Sequence, residues 1–246
     1  MQRYFLNQKI DHQFELPAGS DTFQHFGKVL RAREGSKAEF VDADQRLYLA
    51  EVTAVTPDAI ALKVLEERKA DVELPFSVRI VVSPIKNDRN DWLVQKATEL
   101  GVDEIVFTKM ARTVVDWRKQ QEKKLTRFQK IAQAAAEQSH RLKVPKVRWA
   151  DDFKECIGPD DAIRLVAWEE SAKEGEQSTL VKTIAATQPG QTIVLWFGPE
   201  GGLTTEEIDR LQSVGFLPLG LGPRILRAET APLYALSAIS TLSELG

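Results

Sequence analysis

Two glycine-rich segments carry most of the residues whose types and spacing suggest chemistry. The first is Trp196-Phe197-Gly198-Pro199-Glu200-Gly201-Gly202-Leu203, at the end of the apolar run Thr192–Phe197. The second is Leu219-Gly220-Leu221-Gly222-Pro223-Arg224-Ile225-Leu226-Arg227-Ala228-Glu229-Thr230-Ala231, after the run Phe216–Gly220. Glycine lets a backbone come close to a ligand and leaves its N–H group free to bind. Pro199 and Pro223 stiffen the loops, so a site built from them would be preorganised. One such loop alone reads better as a tight turn between a strand and a helix. Two, the second holding Arg224, Arg227 and Glu229, point to a ligand site at the carboxyl ends of strands in an open α/β sheet.

Other chemistries find little support. His12, His25 and His140 have no ligand-like spacing to one another or to Cys156, so no metal site is expected. A lone cysteine in this setting reads as packing rather than as a nucleophile. The chain has no phosphate-binding loop of the Gly-x-x-x-x-Gly-Lys type. Gly220-Leu221-Gly222 lacks the third glycine of a dinucleotide fingerprint.

The charge is unevenly spread. The formal net charge is −3, but Lys109–Arg148 holds 12 Lys and Arg against only Asp116, Glu122 and Glu137. That density can neutralise several phosphates and release their counterions, the driving force of sequence-independent nucleic-acid binding. A solvated helix face over Arg118–Lys130 explains the same charges equally well.

The elements that would position these groups fall into two kinds. Short β-like runs at Arg3–Leu6, Lys37–Val41, Leu47–Val55 and Ala59–Val64 predict a small β domain over residues 1–70. Asp21–Leu30 interrupts it as a helix with Phe23, Phe26, Val29 and Leu30 on one face. Glu66–Pro75 reads as a linker. Residues 71–246 then alternate strands with helices. The strands are Val78–Ser83, Glu104–Thr108, Ala162–Ala167, Thr192–Phe197 and Phe216–Gly220. The helices are Asp91–Leu100, Arg118–Gln138, Ser178–Thr187, Thr205–Val214 and Ala231–Leu245, with Gly101 and Gly215 as C-terminal stops. Thr204 with Glu207 fits a capping box. This is the pattern of an α/β fold, a mostly parallel sheet with helices on both faces.

The class is further bounded by size and composition. The chain has 246 residues, 43% of them hydrophobic and 28% charged, enough for one large or two small globular domains. Its longest apolar runs, Val78–Ser83 and Ile193–Phe197, fall far short of the roughly 20 residues of a membrane helix. Met1-Gln2-Arg3-Tyr4-Phe5 leads into mixed-polarity sequence rather than a signal-peptide core. One cysteine cannot form an internal disulfide. These features predict a cytoplasmic protein with no membrane partner.

Phe197–Gly202 followed by Leu219–Ala231 resembles the ribosomal RNA small-subunit methyltransferase E family, within the SPOUT class of knotted methyltransferases. Three further segments agree. Gln95–Val102 looks like the first helix of the family's catalytic domain, and Ala134–Ser139 with Arg141 and Pro145 like its basic helix and exit. His25 with Val29-Leu30-Arg31 and Gly35 looks like the motif of its PUA-like β-barrel domain. Leu203-Thr204 stands where an aromatic and a serine are usual, and Gln24 where a second histidine is common.

The resemblance implies methyl transfer from S-adenosylmethionine to N3 of a uridine in the decoding region of 16S rRNA. It also implies a C-terminal trefoil knot and a homodimer with cofactor sites beside the dimer contact. Leu233, Leu236, Ile239 and Leu242 on the last helix could form part of that contact or pack within one chain. The implied cofactor-binding residues are Leu195, Phe197, Gly198, Pro199, Glu200, Gly201 and Gly202 in the first segment. In the second they are Leu219, Leu221, Gly222, Ile225, Leu226, Glu229, Thr230 and Ala231. Glu200 could instead brace its loop. Arg227, and less so Arg224, would favour the N3-deprotonated uracil by stabilising charge on its carbonyl oxygens. Either arginine could instead form an ion pair with Glu229 or Glu200. RNA contacts would come from Arg3, His25, Lys28, Arg31 and Arg33, together with Arg112, Lys123, Lys124, Arg127 and Arg141. The rival readings are a catalytically silent RNA-binding assembly factor and a SPOUT enzyme acting on another RNA atom such as a ribose 2′-oxygen.

Overall fold

The computed structural model describes residues 1–169 and 179–245. The chain divides into two compact units, one of residues 1–72 with 136–143, the other of 73–135 with 144 onward.

The first unit is a five-stranded sheet of β1 (Arg3–Phe5), β2 (Gln13–Pro17), β3 (Lys37–Val41), β4 (Leu47–Val55) and β5 (Ala59–Arg68), in the order β1-β3-β4-β5-β2. Only the β1–β3 pair is parallel. Register shifts at Leu49/Ala50 and Val52/Ala54 bend the long β4–β5 ladder. β2 is a strand absent from the sequence expectation. It is an edge strand ending in Pro17, with Phe14 and Leu16 inward and Gln13 and Glu15 outward, which leaves a short and weak apolar signal. The expected linker also shrinks. Glu66, Glu67 and Arg68 continue β5 opposite Leu49, Tyr48 and Leu47, with their charged side chains at its exposed end.

The helical interruption is a π-helix over Phe23–Val29, whose next N–H, that of Leu30, bonds five residues back to His25 O at 2.9 Å. Phe23 and Phe26 enter the core beside Tyr4 and Phe40. The wider turn rotates the following residues off that face, so Val29 is 66% and Leu30 43% exposed, contrary to the α-helical spacing.

The second unit contains a six-stranded sheet in which every neighbouring pair is parallel: β6 (Ser77–Val82), β7 (Glu104–Thr108), β8 (Lys146–Ala150), β9 (Ile163–Ala167), β10 (Thr192–Trp196) and β11 (Leu217–Leu219), ordered β11-β9-β10-β6-β7-β8. The helices given for the described residues are α1 (Arg89–Glu99), α2 (Gln121–Gln138), α3 (Thr179–Ala186), α4 (Thr205–Ser213) and α5 (Thr230–Glu244). Ser178, the expected start of α3, lies outside the described residues. Alternate strand residues feed two cores. Ile80, Ile105, Leu165 and Leu195 face one, and Val81, Val106, Val166 and Val194 face the other. A sheet buried on both faces needs continuous apolar strands, which is why these runs were readable. The expected α/β architecture is therefore present.

Leu233, Leu236 and Ile239 of α5 lie in the chain's own core, while Leu242 is 39% exposed. No helix among the described residues is long and apolar enough to cross a membrane. At the centre of the larger core, the fully buried Phe107 ring lies 4.9 Å from Trp117 and 5.4 Å from Phe128. Phe107→Ala is expected to cost about 3–5 kcal/mol in denaturant unfolding. A loss under about 1 kcal/mol would mean this cluster does not hold the unit together.

Candidate functional site

In a fully parallel sheet all carboxyl ends emerge together, so the loops after β6, β7, β9, β10 and β11 gather at one edge of the second unit. They enclose a cavity of about 620 Å³. The loop after β10 is set by several local bonds. Phe197 N–H extends the ladder to Val81 O at 2.9 Å, and Gly202 N–H closes a turn on Pro199 O at 2.9 Å. Thr204 then opens α4 with the expected capping box. Its Oγ1 accepts from Glu207 N–H at 3.2 Å, and its N–H donates to Glu207 Oε2 at 2.9 Å.

The loop is also held from outside. Arg112 Nη1 donates to Gly201 O at 2.8 Å and Leu203 O at 3.3 Å. Glu207 Oε1 accepts from Ala111 N–H at 2.8 Å. Glu200 Oε1 accepts from Lys86 N–H at 3.4 Å, a weak version of the bracing role. Arg112 is thus tied to the glycine loop, a role different from the RNA contact expected of it.

The second loop leaves β11 and turns through Gly222 at φ +88°, a region that favours glycine. Arg227 O accepts from Thr230 and Ala231 N–H and so starts α5. Arg224 and Arg227 line the cavity with exposed side chains, and neither has an ion-pair partner among the described residues. Glu229 pairs instead with Arg89, the first residue of α1, at 3.5 Å. Its carboxylate is buried, and Oε2 has no hydrogen-bond donor among the described residues. An acceptor left so is costly unless a donor arrives.

The predicted residues divide as follows. Phe197, Gly198, Pro199, Glu200, Gly202, Leu221, Gly222, Ile225, Leu226, Glu229 and Ala231 line the cavity, as do both arginines. Leu195 and Leu219, 1% and 0% exposed, lie beneath it in the core, and Gly201 and Thr230 are not part of the lining. The N–H groups of Gly198, Gly201, Leu221 and Leu226 make no hydrogen bond among the described residues. That of Gly202 is taken by Pro199. Sequence reasoning missed Arg89 and the Ala167-Trp168-Glu169 segment at the end of β9. The rule that ligands bind at carboxyl ends of parallel strands was the signal available for the latter.

The basic residues are unequal. On α2, Lys123 is exposed, Lys124 Nζ lies 5.5 Å over the Trp117 ring, and Arg127 pairs with Asp91. In the first unit, His25, Lys28, Arg31 and Arg33 are exposed. Arg3 and Arg141 are 5% and 3% exposed, so neither offers an RNA contact. Arg3 binds Glu39 at 2.8 Å and Arg141 O at 3.4 Å, and Arg68 binds Glu39 at 3.1 Å. Burial pushes the Glu39 carboxyl up, but the Arg3 and Arg68 hydrogen bonds bring it below the usual carboxylate range. Cys156 is buried, its thiol pushed up to about 11 by desolvation, which suits packing and not nucleophilic attack.

Fold and site together define an RNA methyltransferase of two domains. The RNA methyltransferase domain family matches residues 72–240, and the RNA methyltransferase PUA domain family matches 18–65. The chain belongs to the ribosomal RNA small subunit methyltransferase E family. It is 39% identical to that protein of Bacillus subtilis, over 100% of this chain and 98% of the relative. It is 26% identical to the one from Mesomycoplasma hyopneumoniae, over 96% and 98%. The crystal structure of the Neisseria gonorrhoeae enzyme bound to S-adenosyl methionine matches 98% of each chain at 30% identity and a TM-score of 0.84. A Legionella pneumophila methyltransferase in complex with SAM matches 97% and 96% at 26% identity, TM-score 0.81.

Proposed function

We propose that this chain methylates N3 of one uridine in the decoding region of 16S rRNA, using S-adenosylmethionine, as a cytoplasmic homodimer. The observation that carries the reading is the cavity at the carboxyl ends of β9, β10 and β11, where two glycine loops meet two unpaired arginines. Its volume of about 620 Å³ is in the range of small-molecule sites. The free N–H groups of Gly198, Gly201, Leu221 and Leu226 and the undonated Glu229 Oε2 are polar groups that a bound nucleoside cofactor would satisfy. When bound, S-adenosylmethionine supplies an electrophilic methyl group, so that the N3–carbon bond forms as the sulfur–methyl bond breaks.

The residues of this chain supply position and charge. Leu221, Leu226 and Leu203 offer apolar walls for a base, and the stiffened loops hold the acceptor in line. Arg227, with Arg224 beside it, stabilises negative charge on the uracil oxygens as the N3 proton leaves to water. A folded RNA must unstack its uridine to reach the cavity. His25, Lys28, Arg31 and Arg33 of the first unit, with Lys123 and Lys124 of the second, grip its phosphates. The exposed Tyr234 and Leu242 of α5, with Leu245 just beyond its end, support a dimer contact there. Entry of β10 between β9 and β6, with β11 beyond β9, supports the trefoil knot.

Labelled S-adenosylmethionine incubated with unmodified 16S rRNA tests the reading: label enters the RNA if it is right. A silent assembly factor would bind RNA and leave it unlabelled. For the RNA grip, joint replacement Lys123→Glu and Lys124→Glu is expected to weaken 16S rRNA binding and flatten the slope of log affinity against log salt by about 1–2. Unchanged affinity and slope would move the footprint off α2.

A further inference from the structure

The hydroxyl of Tyr4 and Nδ1 of His25 lie 2.9 Å apart, with the two rings edge to face at 5.8 Å. Tyr4 is only 2% exposed, packed against Phe26 and Phe40, whereas His25 stands on the exposed side of the π-helix. Either atom could in principle be the donor, and burial decides between them. A buried phenolic O–H needs an acceptor, and His25 Nδ1 is its one partner among the described residues. If Nδ1 carried the proton, the phenolic hydrogen would be left with nothing. So Tyr4 donates, Nδ1 accepts, and the neutral ring carries its proton on Nε2. Burial, and next the charge of Glu137, push the phenol up to about 12, so it keeps that proton.

The surroundings say what an oriented Nε2–H is for. Lys28, Arg31 and Arg33 follow on the same surface segment, all exposed and none with an ion-pair partner among the described residues. Lys9, Arg46 and Arg68 of the same unit are paired with carboxylates. Arg31 is held at φ +55°, a backbone conformation that non-glycine residues seldom adopt. π-helical turns are uncommon and concentrate at functional sites. Three unpaired cations around one fixed neutral donor suit a polyanion that also offers oxygen acceptors.

We propose that His25 donates through Nε2–H to an acceptor oxygen of the RNA backbone, and that Tyr4 is the positioning residue that fixes this tautomer. The charges of Lys28, Arg31 and Arg33 bring the phosphates close, and the His25 donor sets where one nucleotide sits. This inference rests on RNA being the substrate.

The test uses the full chain, protein-free 16S rRNA and three variants. Tyr4→Phe keeps the ring in the core and removes only the donor. Its affinity is expected to fall about three- to tenfold with the salt slope unchanged, because no charge is lost. His25→Ala should lose the same factor, and His25→Gln, which can place an amide N–H near the Nε2 position, should recover most of it. Nitrogen-15 spectra of the three histidines should show His25 of the unaltered protein as the Nε2–H form and Tyr4→Phe as a mixture. An Nδ1–H ring in the unaltered protein overturns the proposal even if Tyr4→Phe fails to fold. Equal RNA affinity of His25→Ala and the unaltered chain also overturns it. Failure of the unaltered chain to bind RNA would instead remove the reading on which it rests.

Discussion

Arg227→Ala is expected to lower methyl transfer by about 10²–10³-fold, the usual loss when one preorganised charge-stabilising group is removed. Three observations lead there. The residue lines the cavity, its side chain is exposed, and no carboxylate among the described residues neutralises it. The two acids that could have reduced it to a structural ion pair are otherwise engaged. Glu229 faces Arg89 at 3.5 Å, and Glu200 accepts from Lys86 N–H. Removing the guanidinium leaves Arg227 O in place to open α5, so the loop should persist. Affinity for S-adenosylhomocysteine, read by calorimetry, should therefore change less than about threefold, within the range of a peripheral contact. Turnover near that of the unaltered chain would refute the role. Equal losses in turnover and cofactor affinity would reassign Arg227 to binding. Arg224→Ala should show the smaller effect of the pair.

Gly198→Ala should act on binding instead. A Cβ there would come within 3.1 Å of Leu203 N and 3.2 Å of Gly202 C, both backbone atoms. Those atoms cannot move freely. Arg112 holds the Leu203 carbonyl, the Thr204–Glu207 capping box fixes the next residue, and Leu203 itself is 8% exposed. Overpacking of this kind costs about 1–3 kcal/mol. Because the strain falls in the loop that forms the cavity wall, it should appear as a tenfold to hundredfold weaker affinity for S-adenosylhomocysteine, about that energy. Thermal stability should fall as well, since the added Cβ would also lie 3.1 Å from Leu203 Cγ, and Leu203 is a member of the core. Full affinity would mean that the loop rearranges at no cost, and the preorganisation argument would fail.

Much of the second unit is legible in its sequence. Ile80, Val81 and Val82, or Val194, Leu195 and Trp196, are apolar on both faces because both faces are covered. The loops that follow are marked by glycine and proline. What stays hidden has identifiable causes. β8 pairs only with β7, and its alternating Lys146, Val147 and Arg148 read as part of a basic stretch. The π-turn breaks the 3.6-residue period at Val29 and Leu30. The charges of Arg3 and Arg141 look alike in sequence to those of Arg31 and Arg33, yet a partner 36 residues from Arg3 draws it inside. Within the cavity, the glycine-marked residues were readable and Trp168 follows the carboxyl end of an expected strand, whereas Arg89 enters through strand order alone, which no local pattern carries.

The proposal above is that this cavity methylates one uridine at N3. It is tested most directly by incubating the chain with S-adenosylmethionine and unmodified small ribosomal subunits or protein-free 16S rRNA, followed by nucleoside mass spectrometry and mapping of the modified position. N3-methyluridine is expected at a single site, strongly reduced with Arg227→Ala. Methylation at a ribose 2′-oxygen or another base atom, or none despite bound cofactor, would contradict it.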